Sequence, residues 1–512
     1  MLPILSHAQL RAVEHATIRQ GASEVDLMEQ AGRSCAYRIM RLEAEGYFGE
    51  EPAYHVIAGQ GNNGGDGLVI ARHLHENGRT VRVSVVQHRQ EPSPGHRWAL
   101  ERAQATTLCI DHFITSDLDS LVIDNDIVID SIIGCGCSAP LTGGLAVLVD
   151  RINVARPFVV AIDLPSGSTE PGGALNQGPA LRARITLTIG TPKLGSLLPE
   201  TGEPSGTLVV LPIDLDPSAL ANTPRLGNWI EPLDISRLLK QRPRFSHKGS
   251  FGHALLIAGG PGCYGAAILA ARGCACSGVG LLTVHGTRPT ITGIAAVVPD
   301  AMSSLDPSED HIEQLPDLEP YTCVAIGPGM GRSPQGVKLL HTLFERWAGP
   351  LVIDADGLGL LADTPELLGH LNQRTILTPH PKEMDRLLGS PSGSGYERLE
   401  RTRNFAQERG CVVVLKGAYT AVCDADGGLH YLPTGNPGMA KGGSGDVLTG
   451  VIAGVYASGY LSLEASIIST YMHGRAGDLT ANALGMDAMR PSDLVERLPT
   501  VWQELRASVN RP

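Results

Sequence analysis

A glycine-rich stretch that ends directly at a predicted helix constrains this chain more than any other feature. It runs from Gly435 to Asp446 and reads GNPGMAKGGSGD. Val447, Leu448 and Val451 then follow at the spacing of one buried helix face. Glycines let backbone N–H groups converge, and a helix start adds unpaired N–H groups and a partial positive charge. The stretch therefore predicts an anion site, most often a phosphate site.

Asp446 is the residue of this stretch that phosphate binding alone does not explain, because a carboxylate repels phosphate. One interpretation is a base beside the phosphate that takes a proton from a hydroxyl. The other is an aspartate that only caps the helix. The glycine-rich approach favours the base, since a helix cap does not need it.

The length and the charge of the chain bound its organisation and its partners. A chain of 512 residues exceeds one ordinary core, so we expect two domains, 1–225 and 226–512, that meet in the Pro-containing segment Asp214–Asn228. The net charge of −12 argues against nucleic acid or an anionic membrane as the main partner. No apolar run reaches about 18 residues, so no membrane span is expected.

The cysteines and the N-terminus favour a cytoplasmic location. The ten cysteines include no C-x-x-C pair, so zinc-ribbon spacing is absent and reduced thiols are expected. The first residues lack the basic and apolar regions of a signal peptide. We also expect a homo-oligomer.

The first half contains a strand, a glycine loop and a helix in succession, the first unit of a doubly wound parallel sheet. The predicted strand is Tyr54–Ala58, the loop Gly59–Gly67, and the helix starts at Leu68. The loop satisfies G-x-G-x-x-G, which alone is a weak signal. The next predicted strand ends in Gln87 without the acidic residue of a dinucleotide site. An ordinary dinucleotide site is therefore not predicted.

Three aspartates are expected to meet at one edge of this sheet. Asp66 lies in the glycine loop, and Asp130 and Asp163 each close an apolar strand. Carboxyl ends of parallel strands converge on the ligand crevice, so these carboxylates, with the hydroxyl of Ser166, make a hard-cation site plausible. The alternative is that each aspartate only caps the helix that follows it.

The second half again alternates strands with helices, and its strand ends are rich in Gly and Asp. Examples are the segments Cys323–Gly331, Leu351–Leu358 and Cys411–Thr420. This pattern predicts a second parallel three-layer sheet. Asp354 and Asp356 are as consistent with turn formation as with function, so they are not placed in the site.

The first half resembles the N-terminal domain of the NAD(P)H-hydrate repair enzymes, an epimerase of hydrated NAD(P)H. The residues that carry the resemblance are Gly61–Gly67, Asp130, and the run Asp163-Leu164-Pro165-Ser166-Gly167. The resemblance implies a Rossmann-like fold, with Asp163 as the acid/base group. It implies a potassium ion held by Asn63, Asp130 and Ser166. The implied substrate contacts are Asn62, Asn63, Gly64, Gly65, Asp66, Gly134, Cys135, Gly136, Cys137, Ser138, Ala139, Pro140 and Asp163. The sequence departs from the family at Cys135, where a threonine is usual, which puts one hydroxyl contact in doubt.

The second half resembles the ADP-dependent NAD(P)H-hydrate dehydratase, a member of the ribokinase-like superfamily. Five segments carry the resemblance, in the family's order: His247–Gly249, Asp354–Gly357, Thr378–Glu383, Lys416–Ala418 and Gly442–Asp446. It implies that ADP, with Mg²⁺ bound to the nucleotide, phosphorylates the C6 hydroxyl of the hydrate, with Asp446 as the base. The implied nucleotide contacts are Lys416, Gly417, Ala418, Tyr419, Thr420 and Gly445; the implied hydrate contacts are Ala266, Gly329, His380 and Asp446.

Alternatives stay open for two residues and for the whole chain. His380 lies between prolines and could be a surface turn residue, and Lys416 could be a solvated strand end. The rival function is a ribokinase-like vitamin or sugar kinase with a non-catalytic N-terminal binding domain. The expected substrates are NADHX, NADPHX and ADP, and the sequence does not decide between ADP and ATP.

Overall fold

The chain forms two compact units in a computed structural model that describes residues 1–124, 126–137, 139–169 and 178–509. The first unit is Leu2–Leu226, and the second begins at Gly227. Within its described residues the first unit has the strands β1 (Leu2–Ile4), β2 (Tyr54–Ala58), β3 (Val81–Gln87), β4 (Cys109–Ile114), β5 (Ile127–Ser131), β6 (Phe158–Ile162), β7 (Ile185–Ile189) and β8 (Thr207–Leu211). Its helices are α1 (His7–Arg19), α2 (Glu24–Ala44), α3 (Asn62–Glu76), α4 (Pro94–Gln104), α5 (Gly143–Ala155), α6 (Pro199–Gly202) and α7 (Pro217–Asn222).

The sheet of the first unit is wound outward in both directions from its centre. Its strand order is β4-β3-β2-β5-β6-β7-β8, and every neighbouring pair is parallel. The chain runs from β2 through β3 to β4 and then returns to the other side of β2 with β5. The crevice at such a reversal is where ligands bind in open α/β sheets. The predicted Rossmann-like sheet is confirmed.

Helices cover both faces of this sheet, because residues on the central strands alternate between two cores. Val56 and Ala58 pack with Leu68 of α3 and with α2, whereas Ile57 packs with Leu148 of α5. Strand side chains point alternately to opposite faces, so a strand buried on both sides reads as a continuous apolar run.

The loop predicted over Gly59–Gly67 is mostly helix, since α3 already begins at Asn62. A Cβ on Gly64 would lie 1.7 Å from the carbonyl oxygen of Gly59, and a Cβ on Gly67 would lie 1.9 Å from Ser131 Oγ. These glycines let the first turns of α3 lie directly on β2 and β5. Their role is to allow close packing of the helix on the strands, not to make a loop flexible.

The second unit, in its described residues, has ten strands of its own. They are β9 (Gly227–Trp229), β10 (His253–Ile257), β11 (Leu281–Gly286), β12 (Met302–Leu305), β13 (Cys323–Ile326), β14 (Leu351–Ile353), β15 (Thr375–Leu377), β16 (Val412–Leu415), β17 (Thr420–Cys423) and β18 (Leu429–Leu432). Its helices are α8 (Pro232–Leu238), α9 (Tyr264–Ala275), α10 (Arg288–Val297), α11 (Pro334–Arg346), α12 (Asp356–Asp363), α13 (Pro381–Leu387), α14 (Gly395–Arg409), α15 (Ser444–Ala457), α16 (Ser462–Leu484) and α17 (Pro491–Val509).

The second sheet is parallel over most of its width and antiparallel at one side. Its strands follow the order β9-β18-β17-β16-β15-β14-β13-β10-β11-β12. The predicted parallel pairing is confirmed from β16 to β12, but β17 runs antiparallel to both β16 and β18. The turn Lys416–Tyr419 between β16 and β17 is too short for a parallel crossover.

The apolar helix α15 lies in the main core of the second unit. Val447, Val451 and Val455 are fully buried there with residues of α9, α16 and α17 and one face of the sheet. This packing fixes the N-terminal end of α15, where the glycine stretch arrives. No helix in the described part of the chain combines the length and the low charge needed to cross a membrane.

Candidate active sites

In the first unit, Asp163 lies at the carboxyl end of β6 in a conformation that is rare for a residue with a side chain. Its φ is +66°, and its carboxylate is held by three donors. Lys193 Nζ donates to Oδ1, as does the backbone N–H of Ile189 at 3.3 Å, and Cys135 Sγ lies 2.7 Å from Oδ2. Strained backbone of this kind is retained where the surroundings over-determine it, most often at functional sites.

Lys193 is a residue of this site that the sequence prediction missed. Its side chain is only 3% exposed, and its ammonium also donates to the carbonyl oxygen of Ile189 at 2.6 Å. Burial would lower the pKa of Lys193, but Asp163 and Cys135 raise it above its ordinary value. Lys193 could have been identified from the sequence as a lysine just beyond the strand Ile185–Ile189, at the edge of the sheet where the other strands end.

Asp163 and Asp66 are pushed towards opposite protonation states. Burial would raise the pKa of Asp163, but Lys193 and the hydrogen bonds lower it below its ordinary value. Burial, with repulsion from Asp163 and Glu14, raises the pKa of Asp66 well above its ordinary value. Burial and Asp163 also raise the pKa of Glu14, a residue of α1 that the sequence prediction did not include. Two carboxyls driven apart in this way are the usual arrangement for one acid and one base.

The residues predicted to hold a cation lie together beside this group. Ser166 Oγ is 2.6 Å from Asp130 Oδ1 and 3.2 Å from the carbonyl oxygen of Ile133. With its amide oriented to satisfy both ends, Asn63 donates to the Ile162 carbonyl at 3.1 Å and accepts from Gly134 N–H at 3.2 Å.

Asp130 is a buried carboxyl without a positively charged neighbour among the described residues. Its side chain is fully buried, and its hydrogen-bond donors are Ser166 and the backbone N–H of Ile132. Burial raises the pKa of Asp130 to about 6, against the hydrogen bonds from Ser166. A cation there would compensate this charge.

The other predicted contacts of the first unit differ in their surroundings. Asn62 is exposed and donates to Glu24 of α2 at 2.9 Å, while Gly64 and Gly65 are buried in helix packing. The side chain of Cys137 is buried in the core against α5, so the predicted contact at this position would have to be made by its backbone. Gly136 and Ala139 are exposed and Pro140 is half-buried; Ser138 lies outside the described residues.

In the second unit, Asp446 lies in the first turn of α15 and does not cap it. The N-cap is Gly443, whose φ of +102° suits glycine, and it makes no side-chain cap. The interpretation of Asp446 as a helix cap is therefore wrong. Burial and the nearby carboxylate of Asp354 raise the pKa of Asp446 to about 6, although Lys416 acts in the opposite direction.

Lys416 is tied to a buried aspartate that the sequence analysis left out of the site. Lys416 Nζ lies 3.1 Å from Asp354 Oδ1, and Thr449 Oγ1 donates to Asp354 Oδ2 at 2.5 Å. Lys416 is 22% exposed, so the interpretation as a solvated strand end is wrong. Gly445 lies against this pair, since a Cβ there would be 3.3 Å from Lys416 Nζ.

Asp354 is followed by a second strained residue, Ala355, whose φ is +49°. The turn ends β14 and starts α12, and the Asp356 carboxylate accepts from Gly331 N–H at 2.9 Å. Asp354 could have been found from the sequence as the polar residue closing a buried strand. The pattern alone did not separate it from a turn former.

His380 is a helix-capping residue with a half-exposed ring, and its predicted contact with the hydrate stays a prediction. It caps α13 by accepting from Glu383 N–H at 3.2 Å, and its ring is 50% exposed and lies 3.4 Å from the Glu383 carboxylate. Glu383 in turn lies 3.9 Å from Lys416 Nζ. Burial raises the pKa of Glu383, against the charge of Lys416.

The remaining predicted contacts form two further groups. A Cβ on Gly329 would lie 3.0 Å from that of Ala266, so the two are adjacent. Gly417 and Ala418 are exposed in the turn between β16 and β17, where the ring of Tyr419 lies 5.8 Å from that of Trp229. Thr420 begins β17. The described residues thus bring Lys416, Gly445, Asp446 and His380 to one region, with Ala266 and Gly329 on neighbouring elements.

Two family models match the chain. One described as NAD(P)H-hydrate dehydratase matches residues 254–500, and one described as the YjeF-related protein N-terminus matches residues 24–195. The bifunctional NAD(P)H-hydrate repair enzyme Nnr of Moorella thermoacetica is 36% identical over 89% of this chain and 88% of its own length. The protein of the same name from Coxiella burnetii is 33% identical over 97% of this chain and 99% of its own.

One solved structure is also similar to part of the chain. The ADP/ATP-dependent NAD(P)H-hydrate dehydratase from Bacillus subtilis, co-crystallized with ATP/Mg²⁺, is 29% identical with a TM-score of 0.48. The match covers 55% of this chain and 99% of that one.

Proposed function

Because the chain belongs to the family of bifunctional NAD(P)H-hydrate repair enzymes, we propose that its two units repair hydrated NAD(P)H in two steps. The domain of residues 1–225 interconverts the R and S epimers of the hydrate. The domain of residues 226–512 dehydrates the S epimer with ADP and yields NAD(P)H, AMP and phosphate. The rival, a vitamin or sugar kinase with a non-catalytic first domain, has no support in either family match.

One observation carries the proposal for dehydration: Lys416 is paired with Asp354, and Asp446 keeps a carboxyl whose pKa is raised to about 6. A base with such a pKa is largely ionised near neutral pH yet accepts a proton readily. Asp446 takes the proton of the C6 hydroxyl while that oxygen attacks the β-phosphorus of ADP. The bond from the β-phosphorus to the AMP oxygen breaks, and AMP leaves.

The second half of this reaction removes the phosphorylated oxygen. The ring nitrogen donates its electron pair as the C6–O bond breaks, so inorganic phosphate leaves with the C6 oxygen. Loss of a proton from C5 then restores the ring double bond. Hydroxide is a poor leaving group, so phosphorylation is what makes the elimination feasible. The N–H groups from Gly442 to Gly445 suit the negative charge on the transferring phosphoryl group.

In the first unit the proposed acid and base are Asp66 and Asp163. Asp66 has the raised pKa, so it donates a proton as the C6 hydroxyl leaves as water. Asp163 is kept ionised by Lys193 and takes a proton from the water that returns to the other face of the ring. Lys193 holds the Asp163 carboxylate in place, as do Cys135 and Ile189.

The two proposed cations differ in how they would be bound. Potassium fits the oxygen-rich group of Asp130, Ser166 and the Ile133 carbonyl, and it would compensate the buried carboxylate. Asn63 fits less well, because both ends of its amide already have partners. Mg²⁺ is proposed to arrive on the nucleotide. Cytoplasmic location and a homo-oligomer stay predictions.

Supplying the full chain with S-configured hydrated NADH and ADP tests the dehydration. Absorbance of the restored NADH should rise, and AMP and phosphate should appear in equal amounts. Phosphorylation of a vitamin alcohol without recovery of NADH would favour the kinase instead. The epimerase is tested without nucleotide, by following the exchange of pure S hydrate into the R form.

A further inference from the structure

A cavity of about 130 Å³ lies beside the residues of the proposed dehydratase site. It is lined by Arg332, Ala355, Asp356, Leu358, Gly359, Glu383 and Arg386. Glu383 links it to the catalytic region, since its carboxylate lies 3.9 Å from Lys416 Nζ. No role in the proposed chemistry uses its two arginines.

The two arginines are carried by the segments that supply predicted contacts to the hydrate. Arg332 follows Gly329 by three residues in the turn after β13, and Arg386 lies on α13, which His380 caps. The turn is held to α12 by the hydrogen bond from Gly331 N–H to Asp356. A ligand that contacts Gly329 and His380 at one end would therefore have its other end close to this cavity.

The charges around the cavity leave the guanidinium of Arg386 available to an anion. Glu383 accepts from His380 N–H at 2.7 Å and faces Lys416, and Asp356 accepts from Gly331 N–H. Both carboxylates are thus engaged. The side chain of Arg386 has no ion-pair or hydrogen-bond partner in the described part of the chain.

Arg332 is held in place by two contacts with α12. Its guanidinium pairs with Asp363, and a Cβ on Gly359 would lie 2.7 Å from Arg332 Cδ. The absence of a side chain at Gly359 lets Arg332 lie along the helix and reach the cavity. A planar guanidinium fixed in this way is suited to bidentate binding of phosphate oxygens.

We propose that this cavity binds a phosphate group of the dinucleotide hydrate through Arg332 and Arg386, and so sets the affinity for that substrate. The inference rests on the proposed function, because the hydrate carries a diphosphate in both forms and a further 2′-phosphate when it derives from NADPH. Both sources present the same chemistry to the two guanidinium groups. The residues predicted to bind the nucleotide cosubstrate, Lys416–Thr420 and Gly445, do not line the cavity.

Steady-state kinetics of the full chain test this assignment with Arg386→Gln and Arg332→Gln. KM for the hydrate should rise about tenfold in each variant, since a charge-assisted contact to phosphate is lost. KM for ADP should stay within about twofold of wild type. Arg346→Gln is the matched control, because Arg346 is an exposed arginine of the same unit that does not line the cavity.

The two forms of the hydrate identify the phosphate. If KM rises only for hydrated NADPH, the cavity binds the 2′-phosphate. If KM rises equally for hydrated NADH, the cavity binds the diphosphate. A rise in KM for ADP alone, or values equal to those of Arg346→Gln, would overturn the proposal. If the proposed function itself were wrong, the wild-type chain would not restore NADH in the same assay. Unfolding midpoints show whether each variant is folded.

Discussion

The two candidate sites place a lysine, a strained backbone and several carboxyls at the ends of parallel strands, but the lysine has a different partner in each. In the first unit Lys193 pairs with Asp163 itself, the strained residue proposed to be catalytic. In the second unit Lys416 pairs with Asp354, next to the strained Ala355, and not with the proposed base Asp446.

This difference decides which carboxyl is ionised in each site. In the first unit the lysine lowers the pKa of Asp163, and the neighbouring Asp66 is left with a raised pKa. In the second unit Asp354 receives the direct pairing, and its charge helps to raise the pKa of Asp446 to about 6. One lysine among several carboxyls thus produces a firmly ionised residue at Asp163 and a base that titrates near neutral pH at Asp446.

Removing the base of the second unit should give the largest effect. Asp446→Asn should lower the rate of NAD(P)H recovery by about 10²–10⁴-fold, because general base catalysis typically contributes that much. Exchange of the two epimers by the first unit should stay near the wild-type rate. Absorbance of NADH and chromatography of the epimers measure the two activities separately. Loss of both activities in a folded variant would contradict the assignment of one reaction to each unit.

Removing the lysine of the first unit should affect both activity and stability. Lys193→Met leaves the Asp163 carboxylate buried without its counter-charge, which typically costs about 3–5 kcal/mol. Epimer exchange should be lost, while NAD(P)H recovery from pure S hydrate should persist. Denaturant unfolding measures the cost.

The pH dependence of that cost has a definite sign. Asp163 has a lowered pKa in the folded state, so its pairing stabilises the fold above the unfolded pKa and is lost as pH falls through the folded value. The difference between wild type and Lys193→Met should therefore shrink on acidification. A difference that stays constant with pH would show that lost packing, not the ion pair, causes it.

Much of the fold was predictable because its signals are local. The apolar strand Tyr54–Ala58 appears in the structure with its predicted boundaries, and the strand closed by Asp163 ends one residue earlier, at Ile162. The helical start at Asn62 was not predictable, because it depends on Gly64 and Gly67 fitting against Gly59 and Ser131 from other elements. The antiparallel β17 likewise follows from a short turn rather than from its own composition.

The candidate sites were predictable where a motif marks them and not where a distant partner defines them. Asp163 and Asp446 each lie in a recognisable sequence motif. Lys193 and Asp354 matter through what they contact, 30 and 62 residues away in the chain at Asp163 and Lys416. Such pairs form only when strand order brings the strand ends together, and a sequence pattern does not give side-chain distances.

Removing the charge that Lys416 pairs with should have an intermediate effect. In Asp354→Asn the pKa of Asp446 should fall below about 6, because Asp354 is the carboxylate that contributes most to its rise after burial. The acid limb of kcat/KM for dehydration should move to lower pH, and the plateau should drop about tenfold as Lys416 loses its anchor. Asp426→Asn, at an exposed carboxylate in the turn between β17 and β18, is the control. An unmoved acid limb would mean that burial alone sets the pKa.

The smallest effect is expected at Cys135, which donates to the same Asp163 carboxylate as Lys193 but carries no charge. In Cys135→Ser a hydroxyl replaces the thiol as donor, so epimer exchange should stay within about threefold of wild type. Cys135→Ala removes the donor and should slow exchange more, with Lys193 still keeping Asp163 ionised. Burial and the charge of Asp163 raise the pKa of the Cys135 thiol, so the thiol acts as a donor rather than a thiolate. If Cys135→Ser abolished exchange while Cys135→Ala did not, hydrogen bonding to Asp163 would not be the role of this side chain.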